Sequence, residues 1–172
     1  MSIRRTKERI FVLFLASFIS QQIYSCGDTN EIWESMEKSR IKLYSDSGQD
    51  HEVLVKLALN APQRKSGFQH VCGELIDQWG ILFVFPSKVR TTFHMRNVEE
   101  SLGLIFFRKD GKMIGLKIMH PENQHRANYF YRVRHKFRYA LEISTNKMRA
   151  LGLDKDQWSL VLDSDWHKKR VQ

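Results

Sequence analysis

The chain has 172 residues, a length that suits one domain, and 42% of them are apolar, which excludes wholesale disorder. Its 28 Lys and Arg against 19 Asp and Glu give a net charge of +9, a property that bears on association rather than on chemistry. Two cysteines exclude a disulfide-dense secreted scaffold and a zinc site made of four thiolates.

Arg4, Arg5, Lys7 and Arg9 precede an apolar run from Ile10 to Ile19, which gives way to Ser20, Gln21 and Gln22 and then to Ile23-Tyr24-Ser25-Cys26. A basic start, a short apolar stretch and a small residue before the cut is the layout of an export signal. The run is roughly half of the ~20 residues a spanning helix needs, so a permanent span is the weaker reading. Ile23-Tyr24-Ser25-Cys26 also resembles a bacterial lipoprotein box. Processing there leaves Cys26 as the first mature residue, and two or more acyl chains hold a protein on a membrane where one does not. The expectation is therefore a lipoprotein of the cell envelope anchored at Cys26, with plain secretion as the alternative. Loss of residues 1–25 lowers the net charge from +9 to +6. An acylated Cys26 leaves Cys72 as a lone thiol, read as a small buried hydrophobe; a free Cys26 in an oxidising compartment leaves a bridge to Cys72 open.

Residues 26–40 are polar, with isolated Ile32, Trp33 and Met36, and read as a tether. A β-rich domain is expected over residues 41–163 and a basic tail over 164–172. Ile41–Tyr44 is a strand closed by the turn signal Ser45-Asp46-Ser47-Gly48. Val53, Val55, Leu57 and Leu59 recur at period two, the mark of a strand with one buried face. Asn60-Ala61-Pro62 starts a helix, with Asn60 as N-cap, that should run to about Val71. Ile81–Phe85 is an apolar strand bounded by Gly80 and Pro86. Thr91–Val98 alternates, placing Phe93, Met95 and Asn97 on one face and His94 and Arg96 on the other. Leu102–Phe107 and Lys112–Ile118 flank Asp110-Gly111, a hairpin signal. Tyr139–Ile143 is a strand, Ser144 or Thr145 caps a short helix ended by Gly152, and Trp158–Leu162 is the last strand. Many short, mostly antiparallel strands and two short helices give a predominantly β α+β fold, a compact sandwich or a partly closed barrel.

Several of these segments, in this order, resemble the DUF192 family of uncharacterised bacterial and archaeal domains. The matching pieces are Arg64, Gly67-Phe68-Gln69, Gly80-Ile81-Leu82-Phe83-Val84-Phe85, Phe93-His94-Met95-Arg96-Asn97, Ser101-Leu102-Gly103-Leu104, Asp110-Gly111 and Leu141-Glu142-Ile143. The resemblance spans roughly Gln49 to Asp163 and implies the fold, and export for many members, but no established activity. This chain departs from the family pattern at Gln69, His94, Val98, Ser101 and above all Gly103, where the family has Asp. The resemblance thus implies that a carboxylate acting at that position is lost here.

Arg64, Phe93, Met95 and Asn97 form the candidate ligand site: an aromatic and a thioether as an apolar wall, Asn97 and Arg64 as placed polar contacts. Arg64 could fork onto a carboxylate or phosphate; the plain alternative is core packing and local pairing. Convergence of Arg64 and Asn97 with an ionisable group such as Glu142 or His94 would favour an enzyme. No His-x-x-x-His pair, Gly-x-Ser-x-Gly elbow or phosphate-cradling glycine loop is present, so neither a metal nor a cofactor is expected and no catalytic residue is assigned. Arg126, Arg132, Arg134, Lys136 and Arg138 lie among aromatics and form a candidate polyanion or anionic-lipid patch; export argues against nucleic acid. The reading is a non-enzymatic envelope domain that binds a small ligand or an envelope protein, with an envelope enzyme around Arg64 and Asn97, or a polyanion binder, as alternatives.

Overall fold

The computed structural model describes residues 30–122 and 130–161. The Ser45–Gly48 turn folds β1 (Glu37–Ser45) back onto β2 (Asp50–Ala58) as an antiparallel pair. Gly48 supplies the φ of +87° that the turn needs, and its N–H donates to the Ser45 carbonyl at 3.1 Å. Two short helices, α2 (Ala61–Ser66) and α3 (Gly73–Gln78), carry the chain across to β3 (Gly80–Val89), which runs parallel to β2; parallel neighbours require such a crossover. The Asp110-Gly111 turn joins β4 (Leu102–Phe107) to β5 (Met113–Met119). Strand β6 (Phe137–Ser144) then inserts between β3 and β4, and α4 (Thr145–Ala150) leads to β7 (Trp158–Val161) on the edge of β1.

The strand order is β5-β4-β6-β3-β2-β1-β7. Its two ends meet at the β4–β5 turn, where the Leu160 N–H donates to the Gly111 carbonyl at 2.8 Å and Lys112 bridges to Ser159. A side chain at Gly111 would run into the Leu160 carbonyl, so this closure requires glycine there. The result is the β-rich α+β fold expected, a mixed sheet curled almost into a barrel.

The alternation of each strand splits the core into two clusters. Leu43, Val55, Leu82, Ile105, Leu141 and Trp158 belong to one, which α4 joins through Met148. Ile81, Phe83, Phe85, Leu104, Phe106 and Ala140 face the other way and are covered by Trp33, Phe68, Ile76 and the 93–98 segment. That second face carries the candidate site.

Several expectations change. Residues 30–40 are not a tether: α1 (Glu31–Glu34) and the start of β1 occupy them, because Trp33 and Met36 are 1% and 2% exposed against the second cluster. The same packing buries the second face of β2 at Lys56. The Asn60-capped helix has its capping box but stops at Ser66, since Gly67 turns to φ +50°. Residues 91–98 form no strand beyond a bridge from Phe93 to Tyr131. The helices among the described residues number four rather than two. Strand β3 continues past Pro86, with an irregular register between Val84 and Val89. Residues 1–29 and 162–172, including the export signal, Cys26 and the basic tail, lie outside the described residues.

Candidate functional site

Glu142 is the polar exception in an apolar strand. It neighbours Leu141 and Ile143, which face the first cluster, and so it points with Ala140 to the second. It is 5% exposed and pairs across the sheet with Ile81. Above it, the capping box of α2 (Asn60 with Gln63) and the left-handed Gly67 bring the Arg64–Gln69 segment over β3. The Thr91–His94 segment closes the opposite side. Between them lies a cavity of about 330 Å³, walled by Phe83, Phe85 and Phe93 and edged by Arg64, Lys65 and His94, with Glu142 lining it.

Burial alone pushes the Glu142 carboxyl up to about 8, so at neutral pH it is mostly a neutral acid, able to donate one hydrogen bond and accept others. No hydrogen bond to that carboxyl occurs among the described residues. Arg64 is anchored instead of free: Nη1 donates to the Leu59 carbonyl at 2.7 Å and the Val84 carbonyl at 3.0 Å, and the guanidinium sits 5.3 Å over the Phe85 ring. Burial lowers its pKa. Nε and Nη2 form no hydrogen bond among the described residues. Burial first, and then the Arg96 charge, hold His94 below its usual value. Its Nδ1 accepts a long 3.4 Å contact from the Arg96 N–H. Ser66 Oγ accepts from Asn30 Nδ2 at 2.7 Å.

Of the residues singled out from sequence, Arg64 and Phe93 line this cavity, Phe93 also packing edge-on against Phe83 (5.2 Å) and Phe106 (5.7 Å). Met95 and Asn97 do not join them. A turn at residues 96–97 breaks the alternation, so Met95 is buried while Asn97 is exposed at φ +53°. Both line a separate, open hollow of about 950 Å³ that meets the first at Val98. Asn97 serves the backbone there, its carbonyl accepting from the His70 N–H at 2.9 Å. His94, expected on the opposite face from Phe93, borders the same cavity. Glu142 and His94, the ionisable groups named in the sequence as partners for Arg64 and Asn97, line the cavity with Arg64 but without Asn97; Lys65 went unassigned.

Gly103, the position of the family's Asp, faces the other way. It alternates with Ile105 and Phe107 into the first cluster, and a side chain there would run into Met148 Sδ. An Asp at this position, which the resemblance implies for the family, would therefore not reach the Glu142 cavity. Among the described residues, no group of three or more His, Cys, Asp or Glu could hold a metal.

In the basic segment, Arg132, Arg134 and Lys136 are exposed, and Arg138 is half-buried, its Nε without a partner among the described residues. Arg126 lies outside the described residues. Arg90, at the end of β3, joins Arg132 and Arg134 around one hollow.

Cys72 is disulfide-bonded rather than a lone thiol. Cys26, the other cysteine of the sequence, lies outside the described residues. A sulfur in a disulfide has no valence left for a lipid thioether, so the bridge and the acylation expected at Cys26 are mutually exclusive.

Solved structures share the fold, among them the following two. A protein from Sinorhizobium meliloti, described as a putative transcription regulator, is 24% identical, with 74% of this chain and 95% of that one covered at a TM-score of 0.65. A protein of unknown function from Novosphingobium aromaticivorans is 20% identical, with 79% and 100% covered at 0.61. No curated protein matches. The model of the family DUF192, described as Uncharacterized ACR, matches residues 43–158, from within β1 to the start of β7, and the chain belongs to that family.

Proposed function

We propose that this chain is an exported domain of the cell envelope that binds a small molecule in the Glu142 cavity without transforming it. The observation that carries the reading is a buried carboxyl, lining a walled cavity, that has no hydrogen-bond partner among the described residues. Leaving such a group unmatched costs about 1–3 kcal/mol, and a ligand that matches it recovers that cost. An apolar enclosure with few placed polar groups is the usual form of a small-ligand site. Ser66, the buried hydroxyl at the cavity, accepts from Asn30 Nδ2 and donates to no general base among the described residues, which favours binding over nucleophilic chemistry. Export is supported by the basic and apolar start of the sequence and by the disulfide at Cys72, a bond that persists in oxidising compartments.

A thermal-shift screen of the full chain against amines, amino acids, sugars, carboxylates and nucleotides tests this, because a ligand that binds only the folded form raises Tm. A compound that stabilises the chain but not its Glu142→Gln variant, and is recovered unchanged, is the expected result. Stabilisers that act equally on both, or that are converted, overturn it.

The convergence of Arg90 with Arg132 and Arg134 supports a second, separate reading, docking on anionic lipid or another polyanion. Binding to anionic vesicles that falls steeply with salt and is lost on charge reversal of Arg132 and Arg134 is expected; salt-insensitive binding speaks against it.

A further inference from the structure

The Glu142 cavity has two unlike polar ends with aromatic walls between them. At the inner end, Gly67 keeps the acid open: a Cβ there would stand 3.5 Å from Glu142 Oε2 and 3.8 Å from the Phe83 ring. The space that a side chain would fill is thus bounded by a carboxyl oxygen and an aromatic ring, with Phe93 set edge-on against Phe83. A carboxyl beside aromatic rings is a setting that favours a cation. At the outer edge stand Arg64, held rigidly through Nη1 with N–H groups to spare, and the exposed Lys65. These cations leave Glu142 unaffected, since burial is the sole cause of its rise. The register explains the separation. Glu142 is level with Ile81, whereas Arg64 binds the carbonyl of Val84, further along the same strand, so the two groups reach the cavity from different levels of β3.

Resting on the binding reading above, we infer that the cavity takes a small zwitterion of the α-amino-acid class. Its ammonium meets Glu142 and Phe83, its carboxylate meets Arg64 and Lys65, and an apolar side chain lies along Phe93. A bare carboxylate leaves Glu142 unmatched, and a bare amine faces two cations with nothing to offer them. Seating the ammonium ionises Glu142, so a proton leaves for the solvent. With the free carboxyl near 8, that release approaches one proton per site at neutral pH.

The test is isothermal titration of the full-length chain with L-leucine, L-valine, L-methionine and L-phenylalanine. Beside them go isoamylamine and 4-methylpentanoate, which are leucine without its carboxylate and without its amine. At least one amino acid is expected to bind, and leucine to bind tenfold or more tighter than either truncated analogue. Buffers of different ionisation enthalpy should reveal proton release at pH 7. Glu142→Gln, checked for a cooperative melt, should lose tenfold or more in affinity, and Lys65→Glu, at an exposed position that does not threaten folding, should lose several-fold. Equal binding of 4-methylpentanoate and leucine, or undiminished amino-acid binding by Glu142→Gln, overturns the inference. A sugar or simple acid that binds in a Glu142-dependent way while no amino acid does also overturns it, yet leaves the binding reading standing. Failure of every compound class in the wider screen removes both.

Discussion

The ammonium of Lys56 lies 3.9 Å from the centre of the Trp33 ring and donates to the Trp33 carbonyl at 2.9 Å. It also donates to the Glu34 carbonyl at 3.1 Å and reaches the Glu34 carboxylate at 3.4 Å. Lys56 is fully buried, and one strand residue thereby closes the end of α1 and fixes the segment that sequence patterning assigned to a tether. Trp33→Ala removes a buried ring and uncovers an ammonium, so a loss of about 3–5 kcal/mol is expected. Lys56→Met keeps the ring and the volume, and its cost should stay nearer 1–3 kcal/mol. Urea denaturation of the two variants checks the order; a larger loss for Lys56→Met would show that the charge, not the ring, holds the segment.

Glu142 gives stability a pH signature. Its folded pKa, about 8, lies above the unfolded value of about 4.5, so between those values the folded state holds the proton and the unfolded state does not. Stability from this group is complete below 4.5, falls as pH rises through the window, and is lost above 8. Glu142→Gln should remove the fall. Denaturation at pH 5 and pH 8 should show the variant gaining relative to the parent by a few kcal/mol at the higher pH.

Gly67 combines a positive φ with the open space beside Glu142. Gly67→Ala is expected to cost about 1–2 kcal/mol through the left-handed backbone, and to weaken any ligand of the cavity by more than tenfold by occupying that space. A variant with lower Tm but unchanged affinity would place the ligand elsewhere.

Arg64 bridges two carbonyls from one nitrogen while covering Phe85. Lysine keeps the charge but not the planar fork. Arg64→Lys should therefore destabilise the chain by about 1–3 kcal/mol, read as a fall in Tm, where a purely electrostatic role would leave Tm unchanged.

The bond at Cys72 predicts that the purified mature chain has no thiol that reacts with a thiol reagent before reduction, and that reduction lowers its stability by about 2–5 kcal/mol. Mass spectrometry of the mature chain separates the alternatives for Cys26: a disulfide lowers the mass by two hydrogens, whereas acylation adds the lipid.

Turns, caps and one strand were readable in short windows. Ser45–Gly48 and Asp110-Gly111 named their turns, Asn60 and Ser144 their caps, and the alternation of Val53, Val55 and Leu57 its strand, because a turn, a cap and a buried stripe each depend on residues a few positions apart. Alternation failed at 91–98, where left-handed Asn97 ends the extended chain and sends Met95 and Asn97 to a different hollow from Phe93. Family resemblance made Gly103 the conspicuous departure; only the pleat of β4 shows that it faces away from the cavity. What the tertiary structure decided is which strands lie side by side. Pairing β6 with β3 sets Glu142 level with Ile81, beneath a helix some eighty positions earlier in the chain. That distance is settled by the global packing of the sheet, which no window of neighbouring residues contains, and it turns one glutamate in an apolar strand into the floor of a site.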